Sequence, residues 1–530
     1  MQLRIKRLLI IGFIMVISFS LSYPVSAGSD LTDDIPTPTL VGDSNDYTIM
    51  GKVDNGNDET PGEWYIGAVP ANPVPNSPVI LFVPGLNNVA QIFWEDNDMY
   101  QTAVDAGYQT AFVQLHDAGG ASADMWDNGQ LLAEKISEIS AHFGKPVTVV
   151  AYSKGGVDTQ TALTYYGAWQ YVDNVITLSS PHHGSQLADL AYSSWASWLA
   201  DLIGAQGDGT YALQMANMEH FRSQIDNQSM AYYNDYYTLG GTNWGSVFSS
   251  TWYGGVYLSQ YGSNDGVVTT SSSRLPGGQQ LAIGDWNHTT IRTGATFPVF
   301  ENYVMGNQQP STTSMPNASE DVHSSAATQW VHGGSLVERE NNEVTVFVED
   351  GVQRIGLHVM TSDDLSEIRL IDPKGNLTTP KIDATKNKDG VFIGSTSYYL
   401  TIDKPIAGNW KVKMTPKEDG AYVLLADYTA NPIVLRNEKS DSNDHLQVNY
   451  HLEVDQLQVQ EKTLKATYRI TESRNQENRK TYTVSGGTDL SKVLVFDQTN
   501  EVYNITIDIE GITKGGEAFK RTIIDSVYTD

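Results

Sequence analysis

One serine, one aspartate and one histidine, in that order along the chain, are the residues best placed to do chemistry. Ser153 lies in Ala151-Tyr152-Ser153-Lys154-Gly155-Gly156, between an apolar run and a helical pattern. Small residues two before and two after a serine allow the sharp strand-to-helix turn that lifts its hydroxyl above the edge of a sheet. The start of the following helix favours negative charge developing there. A serine attacks only when a base takes its proton, and an imidazole base needs a carboxylate to orient it. Such a set performs acyl transfer.

Four histidines follow Ser153 before a Pro/Ser/Thr stretch opens near Gln308: His182, His183, His220 and His288. A sheet with this kind of elbow supplies its partners in the order Ser, acid, His. Only His288, just past the strand-like Gln280–Ile283, leaves enough chain to complete that order. His182 and His183 end the strand after the nucleophile helix and are expected at most to line the site. Asp265, in the turn Ser263-Asn264-Asp265-Gly266, is the expected acid, 23 residues before His288. The alternative is an aspartate that only closes its own turn. Asp285 shares a turn with His288 and is poorly placed to reach its far nitrogen. Two backbone N–H groups must hold the oxyanion. Lys154, directly after the serine, should give one. Leu86, in Val83-Pro84-Gly85-Leu86-Asn87-Asn88, should give the other, with Gly85 letting the backbone approach.

These residues need a rigid frame. Apolar runs at Pro78–Pro84, Thr110–Leu115, Pro146–Tyr152 and Val175–Leu178 read as strands. Met99–Gly107 and Leu131–Phe143 read as helices between them. That alternation predicts a doubly wound, mostly parallel sheet. Beyond Ser319 the apolar period becomes two, predicting two all-β sandwich domains. The expected organisation is a signal peptide at 1–27, a polar leader at 28–46, a catalytic domain at 47–306, a linker at 307–330 and β-sandwiches at 331–435 and 436–530. Arg436–Asp444 reads as a charged joint between the sandwiches.

Arg4, Lys6 and Arg7, an apolar Leu8–Leu21 and a small-residue Val25-Ser26-Ala27 have the form of an export signal. The chain of 530 residues has 62 acidic and 33 basic residues and a net charge of −29. Losing the signal removes three basic residues and takes the charge to −32. Such a surface repels phosphate backbones and argues against nucleic-acid binding. The chain has no cysteine, which rules out a thiol nucleophile. An exported chain without disulfides fits a single-membrane bacterium.

Residues 78–306 resemble the secreted bacterial true lipases and esterases of the α/β-hydrolase superfamily. The resemblance rests on Pro84-Gly85-Leu86, Ala151–Gly156, Ser180-Pro181-His182-His183-Gly184-Ser185, Ser263–Val267 and Asn287-His288. It implies an α/β-hydrolase fold, a triad of Ser153, Asp265 and His288, and oxyanion donors from the first motif and from Lys154. Pro84 replaces a histidine often found there. Asn287-His288-Thr289-Thr290 lacks the acidic residue that follows the histidine in calcium-binding members, so no cofactor is expected and the structural calcium of those members has no support. Pro405–Val412 resembles the closing strands of jelly-roll modules, and the last segment resembles an immunoglobulin-like module.

The expected activity is serine carboxylic ester hydrolysis on lipid esters at an interface. Two alternatives are an extracellular polyester depolymerase and a non-catalytic surface adhesive protein, whose β-domains would hold polymer or cell wall; aromatics such as Tyr398, Tyr399 or Tyr422 are expected either to make that grip or, more often, to pack in the sandwich cores. Leu187–Ile203, with Trp195 and Trp198, reads as one helix beside the cleft, either a mobile lid or a fixed cap.

Overall fold

The computed structural model describes residues 35–41, 59–118, 122–247, 249–305, 327–338, 340, 342–378, 384–387, 391–441 and 446–530. The signal segment, most of the leader and most of the linker lie outside them. Residues 37–530 form one compact unit, and of the other unit, 1–36, only 35 and 36 are described.

The first part carries, in chain order, β1 (Thr39–Val41), β2 (Trp64–Ile66), β3 (Val79–Val83), α1 (Met99–Asp105), β4 (Thr110–Val113), α2 (Met125–Phe143), β5 (Val147–Tyr152), α3 (Gly155–Tyr165), β6 (Val172–Leu178), α4 (Gln186–Tyr192), α5 (Ser197–Leu202), α6 (Asp208–Ala212), α7 (Met215–Ile225), β7 (Asp235–Gly241), α8 (Ser250–Leu258) and β8 (Gln279–Gly284). The strands pair in the order β1-β2-β4-β3-β5-β6-β7-β8. The β1–β2 and β2–β4 pairs are antiparallel, and the rest are parallel. This is the α/β-hydrolase arrangement. Every residue of β3 and β5 is buried, as strands covered on both faces require. Asp124 caps α2 by accepting the N–H groups of Trp126 and Asp127, and Gly144 ends it at φ 63°.

The antiparallel strands β9 (Gln329–Leu336), β10 (Asn342–Val348), β11 (Arg354–Thr361), β12 (Leu365–Ile371), β13 (Leu377–Thr378), β14 (Thr385–Lys386), β15 (Thr396–Asp403), β16 (Gly408–Pro416) and β17 (Gly420–Thr429) follow. They form the sheets β10-β16-β12-β13 and β14-β15-β11-β17-β9. A second set comprises β18 (Val434–Asp441), β19 (Gln447–Val454), β20 (Lys465–Glu472), β21 (Asn475–Ser485), β22 (Lys492–Val495), β23 (Glu501–Ile512) and β24 (Ala518–Thr529). Its sheets are β18-β19-β22 and β21-β20-β23-β24. Among the described residues no helix is long and apolar enough to cross a membrane.

Several details differ from the sequence reading. Part of the leader is strand β1, an edge strand on the catalytic sheet. Strand β9 opens at Gln329, inside the expected linker. Most of the expected charged joint is β18, paired with β19. The expected helix Leu187–Ile203 is broken into α4 and α5. Ser193 turns extended at ψ 155°, and its hydroxyl accepts the Ala196 N–H at 3.1 Å. Serine side chains compete with the helical ladder in this way. Tyr398 and Tyr422 are buried, as core packing requires, and the half-buried Tyr399 packs on Trp252 at 4.5 Å.

The β-sandwiches are joined to the catalytic part by a shared core. Leu187, Leu190, Leu199 and Tyr257 pack with Val331, Met360, Val423 and Leu425 of the first sandwich and with Val502 and Ile524 of the second. Polar contacts fix the register. The Trp195 indole N–H donates to Asp508, with its nitrogen 3.0 and 3.2 Å from the two carboxylate oxygens, and its ring stacks on His332 at 4.7 Å. The Ser194 N–H donates to Thr506 at 3.0 Å, Asn504 to the Asp189 carbonyl at 2.8 Å, and the Ala216 N–H to Ser526 at 3.0 Å.

Candidate active site

Strand β5 delivers Ser153 to the carboxyl edge of the sheet, and α3 begins two residues later. Ser153 holds φ 52°, a left-handed conformation that costs a non-glycine residue energy and gathers at functional sites. The neighbouring glycines have no alternative. A Cβ on Gly155 would lie 2.3 Å from the Pro84 carbonyl oxygen, and one on Gly156 2.2 Å from Ser180 Oγ.

The structure brings the three expected side chains into one line. His288 Nε2 lies 3.0 Å from Ser153 Oγ, and His288 Nδ1 lies 2.7 Å from Asp265 Oδ2. The other oxygen of Asp265 accepts the N–H groups of Val267 and Val268 at 2.9 and 2.8 Å. Asp265 therefore closes its own turn and also meets the histidine, each with a different oxygen. The His288 N–H donates to the Asp265 carbonyl at 2.9 Å, which locks the two loops together. Tyr152 packs on the imidazole at 5.0 Å and is itself held by Arg292, which donates to its hydroxyl at 2.9 Å. All three side chains are buried, Ser153 keeping 8% of its surface.

The backbone N–H groups of Leu86 and Lys154 have no acceptor among the described residues. Gly85 lies against the serine, and a Cβ there would meet Ser153 Cβ at 2.7 Å. Among the described residues nothing competes with a ligand oxygen for these two N–H groups. Leu86 in turn borders α6, since a Cβ on Gly209 would meet its side chain at 2.6 Å.

The other candidates stand apart. His182 is buried against Thr177 at 3.2 Å, and burial holds its pKa well below the ordinary value. The His183 N–H donates to Ser272. His220 stacks on Tyr528 at 3.7 Å. Asp285 accepts from the Asn243 side chain at the surface. Among the described residues no cluster of three His, Asp or Glu could hold a metal.

Two features escape the sequence reading. The Lys154 side chain is fully buried and meets Asp158 at 2.9 Å and Asp117 at 3.3 Å. Its i,i+4 spacing from Asp158 was a visible signal, but the approach of Asp117 was not. Burial opposes charge on Lys154, but Asp117 and Asp158 outweigh it and raise its pKa. Burial also pushes Asp158 up to about 7. The second feature is Asp189 on α4, buried where β24 packs on the cap. One of its oxygens accepts the Met215 N–H at 3.3 Å, and the Ser526 hydroxyl lies beside the carboxyl. Burial, then the charge of Asp525, pushes its pKa up to about 8.

Neither a family model nor a curated relative matches the chain. Among solved structures it is similar to Bacillus licheniformis lipase BlEst2 in propeptide form. The two are 33% identical, the match covers 89% of this chain and 98% of that one, and the TM-score is 0.74. The mature form of the same lipase is 46% identical, with 47% of this chain and 100% of that one covered and a TM-score of 0.44.

Proposed function

Because the chain belongs to the α/β-hydrolase lipase and esterase family of Bacillus licheniformis BlEst2 and is an ester hydrolase, we propose that it cleaves lipid esters through a Ser153 acyl-enzyme. The observation that carries this is the unbroken line from Ser153 Oγ through His288 to Asp265. His288 takes the hydroxyl proton as Ser153 attacks the ester carbonyl. Asp265 orients the imidazole and stabilises its charged form. The oxyanion of the tetrahedral intermediate receives the N–H groups of Leu86 and Lys154. His288 then gives its proton to the leaving alcohol, and water clears the acyl group by the same route.

The relative is a lipase in propeptide form, and the β-sandwiches here share a core with the cap beside the site. We read this chain as a secreted precursor whose β-sandwiches are the pro-region. The cap between residues 187 and 203 is clamped through Trp195 in this form, so its movement as a lid awaits release of the sandwiches. A rate profile over p-nitrophenyl esters of rising chain length, with and without emulsion, tests the substrate class. A preference for long chains and a jump above the solubility limit support lipid esters. A preference for acetate without a jump assigns a short-chain esterase.

A further inference from the structure

Lys154, Asp117 and Asp158 lie buried behind the proposed oxyanion site. Burying charge is costly, and well-packed apolar side chains often serve stability as well. The geometry gives these charges another task. Lys154 supplies one proposed donor from its backbone, and its side chain reaches back to Asp117 and Asp158. Asp117 Oδ2 meets Lys154, while Oδ1 accepts the Asn87 N–H at 3.3 Å. Asn87 belongs to the peptide that follows Leu86, the other proposed donor. The carbonyl of that same peptide accepts from the Asn88 side chain at 2.6 Å. The Leu86–Asn87 peptide is therefore pinned at both ends.

Asn128 closes the circuit. It donates to Asp117 and, at 3.1 Å, to Asp158, and it accepts the His116 N–H at 3.0 Å. The oxyanion loop, the turn after β4, helix α2 and the start of α3 thus meet at one buried point.

We propose that Asp117 and the Lys154 side chain are positioning residues that hold the two oxyanion donors, on separate loops, at a fixed spacing. The proposal rests on the Ser153 mechanism above. A displacement of about 1 Å at a reacting centre costs on the order of 100-fold in rate. The substitutions Lys154→Met and Asp117→Asn keep every backbone N–H and approximate the side-chain volumes. Each should lower kcat on a dissolved p-nitrophenyl ester by about 10- to 100-fold with KM nearly unchanged. Affinity for a trifluoromethyl ketone, which forms a tetrahedral oxyanion, should fall by the same factor. Affinity for a non-reacting amide analogue should hold.

Asn88→Ala frees the loop from its more exposed side and supplies the test if the buried variants do not fold. It should lower kcat and ketone affinity together, by a smaller factor. Unchanged kcat in the folded variants overturns the proposal, as does a loss of melting temperature with ketone affinity intact. Ser153→Ala in the same assay separates the two levels. Activity surviving that change removes the mechanism itself, whereas its loss beside normal Asp117 and Lys154 variants removes only the positioning role.

Discussion

Asp189→Asn should flatten part of the dependence of stability on pH. In the folded chain Asp189 is buried beneath β24, with a pKa of about 8 against an ordinary 3.8. A carboxyl whose folded pKa is raised favours folding while protonated. Its contribution is complete below pH 3.8 and is lost as pH climbs toward 8. Within that window each pH unit costs about 1.4 kcal/mol. From pH 5 to pH 8 the wild-type chain should therefore lose roughly 4 kcal/mol through this one group. Asparagine keeps the oxygen that accepts the Met215 N–H and cannot ionise. Urea unfolding of the intact chain at several pH values, followed by tryptophan fluorescence, measures both proteins. Trp195 reports directly, since it is stacked within the same interface. The difference between the two slopes isolates Asp189 from the other titrating groups. Equal slopes would refute the argument, and a steeper slope in the variant would reverse its sign.

Four further outcomes are expected. Ser153→Ala should reduce kcat by about 10⁴- to 10⁶-fold at an almost constant melting temperature, as single-turnover and calorimetric assays can read. Gly85→Ala, whose Cβ would sit 2.7 Å from Ser153 Cβ, should slow acylation by a phosphonate at least tenfold without unfolding the protein. Cutting within residues 307–326 and removing the β-sandwiches should raise hydrolysis of emulsified triglyceride more than that of a dissolved short ester. Trp195→Phe, which deletes the hydrogen bond to Asp508, should weaken retention of the cut sandwiches by about 10- to 100-fold, on the ~1.5–3 kcal/mol that a charged hydrogen bond contributes.

The elbow was legible because it is local. A strand, a small-x-Ser-x-small turn and a helix state their geometry within a dozen residues, and the order Ser, acid, His then leaves one histidine. The parallel strands β3, β4 and β5 were legible as apolar runs. Strand β7 was not singled out, because Asp235–Gly241 mixes tyrosines with glycines. The cap was misread as one helix because Ser193 and Ser194 carry no strong breaking signal. What divides it there includes Thr506, which accepts the Ser194 N–H from far along the chain. The same limit hid Asp117 behind Lys154, since a buried polar network is a property of packing and leaves no period in the sequence.

The contacts that bind Ser194, Trp195, Ala216 and Asp189 to the second sandwich span between 310 and 315 residues. At a synthesis rate of about 5–20 residues per second, the cap is made roughly 15–60 s before the β23–β24 hairpin that grips it. Helices form in microseconds or less. During that interval Leu187, Leu190 and Tyr257 have no sandwich to cover them, so the nascent catalytic part must shelter its own apolar face or be sheltered by a chaperone. The hairpin then docks on a surface already folded, which makes docking a late and separable step on the folding route.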